Sequence, residues 1–211
     1  EICACLVGSE MCIRDRCTTL GKGRLRFHLD NGTELVLYRG EAKQFRMREG
    51  STLSDEEEHQ LIYEVVGKRA KRRTMHLLEQ MDRTEQQLRE KLKQGGYPQA
   101  CIDLALEYVK SFHYVDDYRY ACTYINYRQD RMSRYQLKVK LYGKGVSGEL
   151  IDRALEECYE GDEQDQIIRL LEKKKFDAQN SDPKEFTRVY QYLMRRGFRS
   201  NDVLRAMKSK Q

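Results

Sequence analysis

From residue 83 onward the apolar positions fall in one arrangement three times. Leu88 and Leu92 are followed four residues on by Gly96, then Tyr97, then Ile102, Ala105 and Leu106. Leu137, Leu141, Gly145, Val146, Ile151, Ala154 and Leu155 repeat the spacing, and so do Val189, Leu193, Gly197, Phe198, Val203, Ala206 and Met207. The three glycines stand 49 and 52 residues apart. A period near 50 marks an array in which each unit is one supersecondary module. Apolar residues four apart stack on one helix face, and a glycine four further on is suited to the left-handed conformation that closes a helix. The second apolar set then begins another helix, with Ser147 and Ser200 placed as N-caps and Pro98 suited to a first turn. A further helix precedes each pair. The expected fold is therefore mainly α, an elongated array of three tandem three-helix repeats.

Ahead of the array the period changes to two. Leu25, Phe27 and Leu29 alternate with polar residues, Asp30-Asn31-Gly32 supplies a turn, and Leu35 and Leu37 resume the alternation, which predicts a β-hairpin. A third short strand is expected over residues 42–47. Ser54 and Glu57 form a capping box for a helix carrying Leu61, Ile62, Val65 and Val66, and Thr84 with Gln87 opens the next. Residues 1–17 fit none of these patterns, and residues 6–16 read like translated sequencing adapter. The expected organisation is a non-native or disordered leader at 1–17, a hairpin segment at 18–53, a linker helix with repeat one at 54–115, repeat two at 116–160 and repeat three at 161–211.

Charge alters this picture in one respect. The formal net charge is +5, yet residues 61–155 hold 18 Lys and Arg against 12 Asp and Glu, a net +6, and the remainder holds 21 against 22. The positive field thus belongs to the first two repeats and points to a polyanionic partner. Residues 156–165 carry six carboxylates, which sets repeat three apart from a phosphate backbone. No stretch is apolar enough for a membrane helix. Cys3, Cys5, Cys12 and Cys17 have neither histidine nor paired C-x2-C spacing, so no metal site is expected, and Cys101, Cys122 and Cys158 read as small buried residues of a reducing compartment. No phosphate-cradling loop is present, because Gly21-Lys22-Gly23 and Gly143-Lys144-Gly145 lack the P-loop spacing. His113 with Asp116 and Asp117 could form an imidazole–carboxylate cluster, but Asp116 is better placed as an N-cap and Asp117 beside the positive helix end. No catalysis and no cofactor are expected.

The binding chemistry is more specific. Arg134 and Lys138 lie four apart on one helix edge, clear of Leu137 and Leu141. Lys144 ends that helix, Arg128 and Arg131 close the preceding one, and Arg83, Arg89 and Lys93 make a matching set in repeat one. The run Lys68-Arg69-Ala70-Lys71-Arg72-Arg73 is either a solvated helix face or a nucleic-acid contact. Tyrosines interleave these charges. Tyr124 falls on the apolar stripe, and Tyr118, Tyr127 and Tyr135 are free to stack on bases.

The run from Arg83 to Leu92 with Gly96-Tyr97, the run Tyr114-Val115-Asp116-Asp117-Tyr118-Arg119-Tyr120-Ala121, and Lys144-Gly145-Val146 with Ile151-Asp152 and Ala154-Leu155-Glu156 closely resemble the RecX regulators of bacterial RecA recombinase. Asp116, Asp117, Arg119, Ala121 and Gly145 match that family's signature. The resemblance spans residues 24–211 and is sharpest over 83–156. It implies three three-helix repeats, often behind a small β segment. It also implies a cytoplasmic, monomeric, noncatalytic regulator that binds the RecA–single-stranded-DNA filament, and bare single-stranded DNA more weakly, in recombination, repair and the SOS response. The alternative is an independent DNA-binding protein whose glycine-turned helix pairs act without RecA. Against it, Asp103, Glu107, Glu149 and Asp152 lie on the helix that would enter a groove.

Overall fold

A computed structural model of the protein describes residues 11–29, 32–178 and 180–209. The chain is mainly helical, with three three-helix domains behind a small antiparallel sheet, and it divides after Val115 into two compact units.

In the first unit β1 (Met11–Leu20), β2 (Arg24–Leu29), β3 (Glu34–Tyr38) and β4 (Thr52–Leu53) pair antiparallel in the order β3-β2-β1-β4. Phe27, Leu29, Leu35 and Leu37 are buried, as their alternation requires. Asp30 and Asn31 of the expected turn, and residues 1–10, lie outside the described residues. Residues 11–17, set apart in the sequence as a leader, run in β1, where Ile13 pairs with Leu29 and Cys17 with Phe27. Strand pairing is a backbone interaction, so a segment without apolar alternation still serves it.

The third strand expected over 42–47 is absent. Those residues belong to α1 (Arg39–Gln44) and the turn that closes it. Ala42 and Phe45, three apart, are buried on one helix face. The Tyr38 amide donates to the Glu41 carboxylate at 2.8 Å, which favours a helix start over a strand. The Ser54–Glu57 box opens α2 (Asp55–His59) as expected. A π-helical turn over Gln60–Val66 joins α2 to α3 (Gly67–Gln80) without a break.

The Thr84–Gln87 box then starts α4 (Glu85–Gln94), and α5 (Gln99–Ser111) follows Pro98. Leu61, Val66, Ala70, Leu77, Leu88, Leu92, Ile102 and Ala105 share one core with the sheet residues, so the hairpin leans on the first repeat. Val36 is buried on the other face of β3 under the turn after α4.

The second unit holds α6 (Asp117–Arg128), α7 (Arg134–Tyr142) and α8 (Gly148–Cys158), then α9 (Glu163–Lys173), α10 (Pro183–Arg195) and α11 (Ser200–Ser209). Side-chain N-caps come from Asp116, Ser133, Ser147, Asp162 and Asp182. Ser200 departs from its expected role. It is the first helical residue, and its hydroxyl meets that of Tyr190 at 2.9 Å.

The three repeat glycines carry φ of +77°, +84° and +81° at Gly96, Gly145 and Gly197. After α4 the Tyr97 amide reaches back to Leu92 O at 3.2 Å, and after α7 Val146 reaches Leu141 O at 3.3 Å. These are the six-to-one bonds of a Schellman closure, and the apolar residue after each glycine is thereby turned back toward its helix.

Candidate polyanion-binding surface

The eight basic residues singled out in the sequence divide into two sets. Arg89 and Lys138 occupy the same repeat position, and each is bridged to the carboxylate fourteen residues on. Arg89 meets Asp103 at 2.6 Å, with Glu85 at 3.2 Å, and Lys138 meets Asp152 at 2.5 Å. Both pairs tie the second helix of a repeat to its third. They neutralise each other's charge, so these two cations serve the fold first. Their constant spacing in the sequence is the signal that could have revealed the bridge. Repeat three has Tyr190 and Leu204 at those positions and ties the same helices through Tyr190 and Ser200 instead.

The Asp103 carboxyl is held below its usual range by Arg89 and then Gln99, and Glu85 is held low by Lys110 and then Arg89. Groups depressed in the folded state contribute stability above their unfolded pKa, about 4 for a carboxylate, and that contribution is lost as pH falls through the folded values. Arg89→Met is expected to cost no more than about 1 kcal/mol at pH 7, because the pair is part-exposed. It should also flatten the loss of stability on the acid side. Urea titrations at neutral and acid pH check both, and an acid limb unchanged by the substitution would contradict the assignment.

The remaining six differ in setting. Arg83 lies half-buried and donates from Nε to Leu77 O at 3.4 Å, closing α3. Lys93 is exposed on α4. The Arg134 amide donates to Glu163 at 2.7 Å, and its side chain lines a cleft of about 470 Å³ with Tyr135, Lys138, Asp152, Glu163 and Arg199. This cleft mixes both signs of charge. Ser133 and Gln136 donate to Arg196 O and Arg195 O at 2.9 and 3.0 Å, so α7 also caps the end of α10.

Arg128, Arg131 and Lys144 belong to a different environment. Tyr120, Tyr124 and Arg128 follow one another at four-residue steps along α6, and the two rings stack at 6.4 Å. Lys144 Nζ lies 5.9 Å from the Tyr120 ring and 5.4 Å from the Tyr124 ring, and the Arg128 guanidinium lies 5.9 Å from Tyr124. Arg128 and Arg131 are exposed and make no ion pair among the described residues. The ridge therefore presents cations held over aromatic faces, with Tyr127 82% exposed nearby on the same helix.

Tyr124 is half-buried against the repeat core, as its stripe position implied. Tyr118 is not free to stack. Its hydroxyl donates to the Glu157 carboxylate and Arg153 covers its ring at 4.4 Å. Tyr135, 68% exposed, is free as expected.

Four of the five signature residues serve the local fold. Asp116 accepts from the Arg119 amide at 3.0 Å as the α6 N-cap, Asp117 lies in the first turn, Ala121 is fully buried, and Gly145 closes α7. Arg119 is exposed on α6. Among the described residues no group of three or more His, Cys, Asp or Glu is placed to hold a metal ion, and no helix is long and apolar enough to cross a membrane. Burial pushes the Cys101 thiol up to about 11, so it is a core residue rather than a nucleophile. Cys122 and Cys158 are half-buried rather than buried.

Family models for the first, second and third three-helix domains of RecX match residues 70–108, 116–155 and 161–207. The chain is similar to Regulatory protein RecX of Caldanaerobacter subterraneus subsp. tengcongensis, 29% identical over 163 residues, covering 76% of this chain and 80% of that protein. It is 33% identical over 159 residues to Regulatory protein RecX of Geobacillus kaustophilus, covering 74% of this chain and 59% of that longer protein. With Regulatory protein RecX of Clostridium acetobutylicum it shares 26% over 199 residues, covering 89% and 90%. Among solved structures, a crystal structure of regulatory protein RecX superposes with a TM-score of 0.59 at 21% identity, covering 90% of this chain and 96% of that one. RecX from Lactobacillus salivarius superposes with a TM-score of 0.59 at 16% identity, over 69% of this chain. These two superpositions show the fold.

Proposed function

Because this chain belongs to the RecX family of regulatory proteins, as the three domain matches establish, we propose that it is a noncatalytic regulator. On this reading it binds the RecA–single-stranded-DNA filament and restrains its extension and activity. The observation that carries the proposal is the ridge of Tyr120, Tyr124, Arg128 and Lys144 on the second domain, flanked by exposed Arg131. Cations kept at the surface over aromatic rings suit a phosphate backbone or an acidic protein surface. The acidic stretch 156–165 leads into the third domain, which is assigned no phosphate contact.

The test is DNA-dependent ATP hydrolysis by the RecA of the same host. Adding the purified protein to preformed filaments is expected to lower the steady-state rate. Arg128→Ala with Arg131→Ala, both off the buried stripe, should blunt that effect while leaving the melting temperature unchanged. If ATP hydrolysis does not respond while the protein binds bare DNA, the independent DNA-binding alternative replaces this reading.

A further inference from the structure

A second cationic site lies in the first unit, and none of the eight basic residues discussed above belongs to it. Arg24 from β2, Arg69 and Arg73 from successive turns of α3, and Lys91 from α4 line one cleft of about 410 Å³ with Tyr38 and Tyr97. That volume is within the range of small-molecule sites, about 300–1,000 Å³.

The cleft is built around Arg69. Its guanidinium pairs with Glu41, donates to Val36 O at 2.5 Å, and lies 5.0 Å from the Tyr38 ring and 5.4 Å from the Tyr97 ring. It is thereby held as a wall of the cleft. Glu41 is the one carboxylate that pairs with any of the four cations among the described residues, and that pairing is with Arg69. Arg73 and Lys91 are exposed and have no carboxylate partner among the described residues. The Arg24 Nε is buried and finds no acceptor among the described residues. An unpaired buried donor is costly, and three uncompensated cations facing one space repel each other. A single multivalent anion offsets both terms. Tyr97 adds a phenol hydroxyl, protonated at neutral pH, whose pKa burial raises further against the opposing effect of Arg69.

We propose that this cleft is a phosphate-binding site, in which Arg24, Arg73 and Lys91 take the oxygens of one phosphate group against the fixed wall of Arg69. The chemistry is shared by a free nucleotide and by the phosphodiester of a single strand. It needs planar or point donors around a compact dianion or monoanion, which guanidinium and ammonium groups supply. The inference goes beyond the filament reading, because it requires no RecA.

The experiment titrates the whole chain with inorganic phosphate, thymidine 5′-monophosphate and a short oligo(dT), followed by amide chemical shifts. Arg73→Ala with Lys91→Ala is compared with Lys173→Ala with Lys184→Ala, which removes the same charge from the second unit, and thermal melts confirm that both fold. The cleft variant is expected to bind at least about tenfold more weakly per charged hydrogen bond removed, and the second-unit variant as the unmodified chain. Shifts with phosphate and the mononucleotide identify a nucleotide site, and shifts with the oligonucleotide alone identify a strand phosphodiester. Absence of binding by every probe, or equal weakening in the two variants, overturns the proposal. No probe contains RecA, so that failure leaves the ATP-hydrolysis test standing, and the converse holds.

Discussion

Gly96→Ala is expected to destabilise the first unit by about 2–5 kcal/mol, combining about 1–2 for a left-handed backbone with a side chain and about 1–3 for overpacking. Gly96 holds φ at +77° because the chain must reverse there for Tyr97 to bond back to Leu92. A methyl group would also stand 2.4 Å from Val36 Cγ2, in the contact that joins the repeat to the sheet. Gly145→Ala, at φ +84°, should cost the second unit at least the backbone part, about 1–2 kcal/mol. Gly143 is the discriminating comparison. It sits at φ −65° with only ordinary contacts around an added methyl, and repeat one has Gln94 at that place. Gly143→Ala should therefore be neutral or stabilising by up to about 1 kcal/mol. Urea unfolding of the four proteins measures this. Equal effects at Gly143 and Gly145 would refute the role assigned to the repeat glycines.

Raising salt fourfold is expected to weaken binding of bare single-stranded DNA about 20-fold, while RecA-coated DNA keeps useful affinity. Three phosphate contacts from Arg128, Arg131 and Lys144 give a log–log slope of about −0.7 per contact, or about −2.1 in all. Arg128→Ala with Arg131→Ala should reduce that slope to about −0.7. Lys138→Ala should leave it unaltered, since Lys138 is already spent on Asp152. Contacts to RecA add a component that salt screens less when it is buried. The measurement is labelled-protein binding to bare and RecA-coated oligonucleotides over one salt series. Equal binding to both at every salt concentration, or blockage by RecA, would reject the filament reading.

Much of the array is legible in residue order because its determinants are local. Leu88 and Leu92, Leu137 and Leu141, and Val189 and Leu193 each lie on one helix face by spacing alone, and all six are buried. Ser54, Thr84 and Ser147 cap the helices that their sequence positions imply. The expectations that failed concern competition between local options. Residues 42–47 have short-range patterns compatible with strand or helix, and burial of Ala42 and Phe45 on one side decided for the helix. Ser200 could cap α11, but the Tyr190 hydroxyl engages it within the first turn.

The site was less legible than the fold. An excess of positive charge over residues 61–155 says that cations are abundant, and not which of them are already neutralised. Arg89 and Lys138 looked equivalent to Arg128 and Arg131 by composition. Their carboxylate partners arrive from the neighbouring helix, and those bridges appear only when the helices pack.

What the sequence by itself determined is the repeat: the closing glycines, the apolar stripes and most of the expected caps follow from interactions within a few residues. Tertiary structure alone decided where the charge is exposed. It brought Lys144 over the Tyr120 and Tyr124 rings of α6, and it gathered Arg24, Arg69, Arg73 and Lys91 from a strand and two helices into one cleft. The reason is one of range. Hydrogen bonds of caps and turns are set by backbone geometry over three or four residues. An electrostatic site depends on distances between residues far apart in the chain, and on which opposite charges packing places beside them.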